Sequence, residues 1–266
     1  MACAEARVAA RLRDITAYLA PLQPHPHHCS SAMSTQARRP RGRPVDDALR
    51  SRRENDILDM AARLFADRGY AGTDLQVVAD ALEVGKGTIY RYFRDKQSLF
   101  LAAVDRGMTN LRERVDHWAA QSDDLLHQLP LAIYGYLEFF DSNPHIVELL
   151  IQERAVFRDR PKPTYFQHRD ADVVRWERQV AELIAEGRIR DIPVEAISEV
   201  VGDSLYGTMF TNYFAGRKRS VSEQCRNVVD ILFHGILTPA ELKRWHWEVP
   251  QATPGQRARA SSRRKK

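Results

Sequence analysis

Apolar residues along this chain recur three and four positions apart, the spacing that aligns side chains on one face of an α-helix. From Arg53 to Arg68 the positions Ile57, Met60, Ala61, Leu64 and Phe65 follow that rhythm, and Gly69 is expected to stop the helix. Thr73 or Asp74 starts a second, short helix that turns Leu75, Val78, Ala79 and Leu82 inward and ends before Gly85. A third, Lys86 to Phe93, is too short to stand alone, so Ile89 and Phe93 must anchor it to its neighbours. Asp95 is the expected N-cap of a longer helix through Leu99, Val104, Met108 and Leu111 to about Trp118. Residues 119–247 read as helices throughout, at about 125–141, 144–158, 170–187, 194–215 and 221–236, with a short one after Pro239. Pro130, Pro144, Pro161, Pro163, Pro193 and Pro239 are expected to mark breaks or first turns. The pattern predicts an all-α fold: a three-helix head followed by a larger helical domain.

Composition supports a globular chain. The 266 residues are 44% hydrophobic and 28% charged, with 13 Gly and 13 Pro, which fits neither collagen-like order nor disorder across most of the length. No stretch approaches the roughly 20 apolar residues that span a bilayer. The N-terminus lacks the uninterrupted apolar core of a signal peptide, so a cytoplasmic location without membrane contact is expected. Cys3, Cys29 and Cys225 are odd in number and far apart, which suggests neither a disulfide framework nor a zinc site. No cofactor or metal is expected.

The net charge of +5 hides an asymmetry. Residues 1–32 carry +1, residues 33–53 carry +5 and residues 251–266 carry +6, which leaves −7 on residues 54–250. Basic ends on an acidic body are a common way to attach a protein to a polyanion, because exposed Lys and Arg release counterions from phosphates. A solubilising tail is the plainer reading of residues 251–266.

Three short helices separated by tight turns describe a helix-turn-helix module. Its third helix has to present small and polar side chains at its N-terminal end, where they reach base edges. Lys86, Gly87 and Thr88 meet that requirement, and Lys86, Arg91, Arg94 and Lys96 outweigh Asp95 between Gly85 and Lys96. The run from Thr73 to Leu82, then Val84-Gly85-Lys86-Gly87-Thr88-Ile89-Tyr90-Arg91-Tyr92-Phe93, then Asp95-Lys96-Gln97-Ser98-Leu99-Phe100, resembles the DNA-binding domain of TetR/AcrR-family transcriptional regulators over roughly residues 53–105. That resemblance implies that Lys86, Gly87 and Thr88 lie nearest the bases. It places Tyr90, Tyr92 and Lys96 on phosphates, Thr73 on a phosphate at the start of the second helix, and Gln76 on a base or the backbone. Tyr90 and Tyr92 have a packing alternative, but Ile89 and Phe93 already supply the buried face. Glu83 stands where many members carry glycine, a departure that bears on the turn geometry.

Ahead of the module, Pro40-Arg41-Gly42-Arg43-Pro44 resembles the core of an AT-hook, in which Arg41 and Arg43 would enter a narrow minor groove; a plain electrostatic tether is the alternative. Further upstream, Val8, Leu12, Ile15 and Leu19 make residues 4–19 an amphipathic segment, or else a product of a start codon upstream of Met33. His25, His27, His28 and Cys29 lack a matching second half of a metal site. The expected organisation is therefore an extension at 1–32, a basic arm at 33–52, the head at 53–105, a helical domain at 106–248 and a basic tail at 249–266.

The helical domain holds 16 of the 23 aromatic residues. The resemblance implies ligand binding and dimerisation here. Tyr134, Tyr136, Phe139, Phe140, Phe157, Trp176, Tyr206, Phe210 and Tyr213 are candidates to line a cavity for a small lipophilic or aromatic effector, although helical aromatics are more often core. Glu138, Glu148 and Glu153 are expected to be solvated rather than to select a cation. Ile197, Val201 and Leu205, with Val228 and Leu232, lie on two apolar helices that resemble the pair building the family's four-helix dimer interface; an intrachain pair is the alternative. The expected function is a ligand-responsive repressor that binds double-stranded DNA, at a palindromic operator, as a homodimer. Three competing readings are an all-helical enzyme, a ligand carrier and a non-specific DNA-bridging protein. No nucleophile–base arrangement or paired Glu-x-x-His site supports the enzyme.

Overall fold

Ten helices make up most of the described residues, 47–216 and 219–250, of this computed structural model. The segment at 4–19, the His25–Cys29 cluster, Arg41, Arg43 and residues 251–266 lie outside the described residues. Among those described, extended pairing is confined to one antiparallel bridge between Ile189 and Leu237.

Helix α1 runs Asp47–Gly72, six residues earlier than periodicity predicts. Its first turns carry good helix formers with no apolar stripe; Leu49 is 63% exposed, and Arg50, Arg52 and Arg53 are exposed with it. The predicted boundary between arm and head therefore falls inside a helix. Gly69 bends α1 rather than ending it, with φ +74 and ψ 164, a conformation open essentially to glycine alone.

Helix α2 is Leu75–Ala81, and its N-cap is Asp74, whose carboxylate accepts the Gln76 and Val77 amides. These bonds hold the Asp74 carboxyl below its ordinary range, the Val77 amide contributing most. Helix α3 is only Lys86–Tyr90; Tyr92 and Phe93 continue as turns bonded to the Ile89 carbonyl. Helix α4 is Lys96–Ala119, opened by a capping box in which Asp95 accepts the Ser98 amide and Ser98 Oγ accepts the Asp95 amide. Ile57, Ala61, Phe65, Leu75, Val78, Ile89, Phe93, Leu99 and Phe100 form one buried cluster that joins these four helices.

Beyond it follow α5 (Leu125–Ser142), α6 (Pro144–Val156), α7 (Thr164–Ala185), α8 (Val194–Ala215), α9 (Val221–Ile236) and α10 (Pro239–Leu242). Pro130 does not break α5, where it is buried and its carbonyl accepts the Cys225 thiol. Helix α7 starts six residues before the predicted position, directly after Pro163. Helix α5 crosses α4 closely at Gly135. A Cβ there would meet Trp118 Cδ1 at 2.9 Å and the Arg114 carbonyl oxygen at 3.2 Å, so only a bare backbone fits. Helix α4 continues through the expected boundary at 105/106, so one helix serves both halves.

Candidate nucleic-acid interface

Ile89 is fully buried and Phe93 is 5% exposed, which fixes the orientation of α3. The opposite side then faces solvent: Lys86, Gly87, Tyr90 and Arg91 are exposed and Thr88 is half-buried. Gly87 has open space where a side chain would stand, so nothing within the chain needs its bareness. Lys86 Nζ lies 5.8 Å from the centre of the Tyr90 ring, and Tyr90 is 50% exposed. Arg94 is exposed and paired with Asp95 at 3.1 Å.

The turn leading into α3 keeps its left-handed residue without glycine: Glu83 has φ +55. The Glu83 amide bonds the Asp80 carbonyl and the Val84 amide the Ala79 carbonyl, which closes the end of α2 around it. A glutamate there costs about 1 kcal/mol relative to glycine.

Several expected contacts are placed differently. Thr73 is fully buried and its hydroxyl donates to the Leu64 carbonyl at 3.1 Å, so that side chain completes the end of α1 rather than facing a phosphate. Lys96 donates to the Tyr70 carbonyl at 2.8 Å and sits 4.5 Å from the Tyr70 ring centre, so its ammonium too serves α1. Tyr92 is half-buried beside Phe93, with ring centres 6.4 Å apart. Gln76 is exposed on α2 and donates to Asp80 at 2.6 Å. Arg91, which enters the sequence reading only through the local charge, is exposed, and its signal is its place two residues past the buried Ile89.

The effector candidates divide. Tyr136 and Tyr165 share a buried hydroxyl–hydroxyl bond of 3.0 Å, and Tyr136 reaches Met209 Sδ at 3.9 Å. Burial pushes Tyr165 up to about 12 and Tyr136 well above its ordinary value, so both stay protonated at neutral pH. Tyr206 packs 4.8 Å from Tyr165 and 4.9 Å from Phe210, while Phe140 packs 5.0 Å from Tyr136 and 5.2 Å from Phe139. Tyr165 and Phe166 join this cluster unanticipated. Phe157 instead packs on Tyr70 and Phe100 at 5.2 and 5.5 Å, between the head and α6. Trp176 lies under the Arg175 guanidinium at 4.9 Å, and Arg175 pairs with Asp116.

Of the acidic candidates, Glu138 and Glu153 are buried and Glu148 is half-buried. Glu153 is 2% exposed and accepts from Arg160 at 2.5 Å and from the Thr164 hydroxyl at 2.7 Å. Glu138 is 5% exposed, with Arg114 at 3.4 Å, and Glu148 accepts the Tyr213 hydroxyl at 2.5 Å.

Of the interface candidates, Ile197 and Leu205 are buried within the chain itself, and Val201, Val228 and Leu232 are half-buried. The outer faces of α8 and α9 instead present Val200, Phe214 and Ile231 at 57, 69 and 73% exposure. Burial pushes the Cys225 thiol up to about 12, so that sulfur is inert packing.

Comparison with known proteins adds to this geometry. Residues 57–103 match the family described as bacterial regulatory proteins, tetR family. The chain is 24% identical over 199 residues to the transcriptional repressor KstR2 of Rhodococcus jostii, covering 74% of this chain and 97% of that one. It is 27% identical over 103 residues to the transcriptional activator FasR of Mycolicibacterium smegmatis, where the match spans 39% of this chain and just under half, 47%, of FasR. The solved structure of KstR2 from Mycobacterium tuberculosis superposes with a TM-score of 0.53 at 19% identity, over 70% of this chain and 95% of that one. At that identity the likeness is one of fold.

Proposed function

We propose that this chain, whose residues 57–103 match the family of bacterial tetR regulatory proteins, is a ligand-responsive helix-turn-helix transcriptional repressor rather than an enzyme, acting as a homodimer on a palindromic operator. The observation that carries this reading is the exposed basic side of α3, Lys86 to Arg91, held outward by the buried Ile89. One such element contacts too little DNA to be selective. A second copy docked on the outer faces of α8 and α9 would bury Val200, Phe214 and Ile231 and set two α3 helices about 34–36 Å apart, one turn of DNA. Exposed apolar side chains on two neighbouring helices favour that partner over solvent.

The effector is a small lipophilic or aromatic molecule, taken among Tyr136, Tyr206, Phe210 and their neighbours. The ketosteroid regulator named among the structural relatives supports an apolar class. Such a ligand controls DNA binding only by preferring one head arrangement, typically by about 1–3 kcal/mol. Arg41 and Arg43 extend the interface into the minor groove or tether it to phosphates. Cytoplasmic placement follows from the DNA target, and among the described residues no helix is long and apolar enough to cross a membrane.

Selection of bound duplexes from a random library, followed by anisotropy titration against a scrambled duplex at matched salt, tests the reading. Lys86→Ala and Thr88→Ala are each expected to cut discrimination about tenfold or more, while Arg41→Ala weakens both duplexes alike. Equal binding of selected and scrambled DNA by the native chain would leave a non-specific bridging protein instead.

A further inference from the structure

A helix end leaves its last carbonyls without intrahelical donors, and the bend at Gly69 makes such an end within α1. Side chains from three places serve α1 on either side of this bend. Thr73 donates to Leu64 before it and Lys96 to Tyr70 beyond it, both from within the head. The third donor, Gln152, comes from α6 and reaches the Phe65 carbonyl at 2.9 Å.

The same Gln152 Nε2 donates to Glu148 Oε1 at 3.0 Å, and Glu148 Oε2 accepts the Tyr213 hydroxyl at 2.5 Å. Gln152 thus lies between two acceptors, so only its N–H2 end fits there, and its own carbonyl oxygen is buried without a hydrogen-bond partner. Glu148 is committed through both oxygens. The result is an unbroken path from α8 through α6 to the carbonyl end of α1.

Phe157, just past the end of α6, packs on Tyr70 and Phe100. Helix α6 and its end therefore touch α1 on both sides of Gly69, at Phe65 before the bend and Tyr70 after it. We propose that Gln152 is a positioning residue for the reading head, fixing the bend of α1 at Gly69 and passing to it, through Glu148, the state of Tyr213 on α8. The path begins one turn from Phe210 of the aromatic cluster. A change in α8 that moves the Tyr213 hydroxyl withdraws an acceptor's partner and loosens the carbonyl end of α1.

Hydrogen exchange of the full chain at neutral pH tests this without DNA, so its failure is separate from failure of the regulatory reading. Tyr213→Phe, which removes one hydroxyl from α8, is expected to speed exchange in residues 64–72 about fivefold. Gln152→Leu is expected to do the same, and the double variant no more than the faster single one, because both cut one path. Glu148→Gln offers a carbonyl to Gln152 and an amide to the phenol, and is expected to leave exchange near native. Glu148→Leu cuts the path and keeps the test available if Gln152→Leu does not fold. Unchanged exchange at 64–72 in Tyr213→Phe overturns the proposal. So do multiplying effects in the double variant, or acceleration spread evenly over α4 and α5.

Discussion

Lys86 and Arg91 at α3 are spent differently from three arginines of the helical body, Arg114, Arg160 and Arg188. Lys86 and Arg91 are exposed, and among the described residues neither has a carboxylate within 4.0 Å. In the body, Arg160 clamps the buried Glu153, Arg114 reaches the buried Glu138, and Arg188 holds Asp124 with both arms at 2.7 and 3.0 Å while also meeting Glu241. A guanidinium already engaged by a carboxylate is architecture. Under the function proposed above, the unengaged Lys86 and Arg91 on the outward side of α3 would find their counter-charge on a phosphate backbone.

Reversing charge on the unengaged side is the most severe way to break that contrast. Arg91→Glu is expected to weaken DNA binding about a hundredfold at low salt and flatten its salt dependence, with no change in urea midpoint. Altered stability with unaltered DNA affinity would mean that Arg91 belongs with the structural arginines. On the engaged side, Arg160→Ala strands Glu153 and is expected to cost about 3 kcal/mol in urea unfolding. A loss of DNA affinity in the folded variant would blur the distinction.

The mildest effect belongs to Asp124. The Arg188 guanidinium, first among its partners, holds its carboxyl well below the usual carboxylate range, with His127 and the Leu126 amide adding to it. A depressed carboxyl stabilises the fold above its unfolded value and loses that contribution as pH falls toward the folded one. Because the side chain is 36% exposed, Asp124→Asn is expected to cost only about 1 kcal/mol at pH 7. The gap to the native chain should narrow as pH drops below about 4, read from urea midpoints. A gap that widens in acid would reverse the assignment.

The head was largely legible because its signals are local. Asp95 lies three residues before Ser98, Gly85 precedes α3, and Ile89 and Phe93 lie four apart, so cap, stop and anchor can be read within one window. What escaped involved contacts between distant segments. Thr73 and Lys96 donate to α1 carbonyls on either side of the bend at Gly69, and a glycine after a helix reads equally well as a stop. Glu138 and Glu153 read as solvated until Arg114 and Arg160 are brought against them. On α8 the apolar residues run around the helix, so periodicity could not say that Ile197 and Leu205 face inward while Val200 and Phe214 face out. Pro130 shows that a proline in a densely packed helix need not interrupt it.

Helix α4 is a single rod of 24 residues, about 36 Å long at 1.5 Å per residue, begun in the head at Lys96 and ended deep in the body at Ala119. Within the function proposed above, it would serve as a lever arm. Tilting it by about 5° about its far end would sweep the near end through about 3 Å, close to the roughly 3.4 Å rise of one base pair. In the dimer proposed above, angular play of that size would be enough to shift the two reading helices out of register with their grooves.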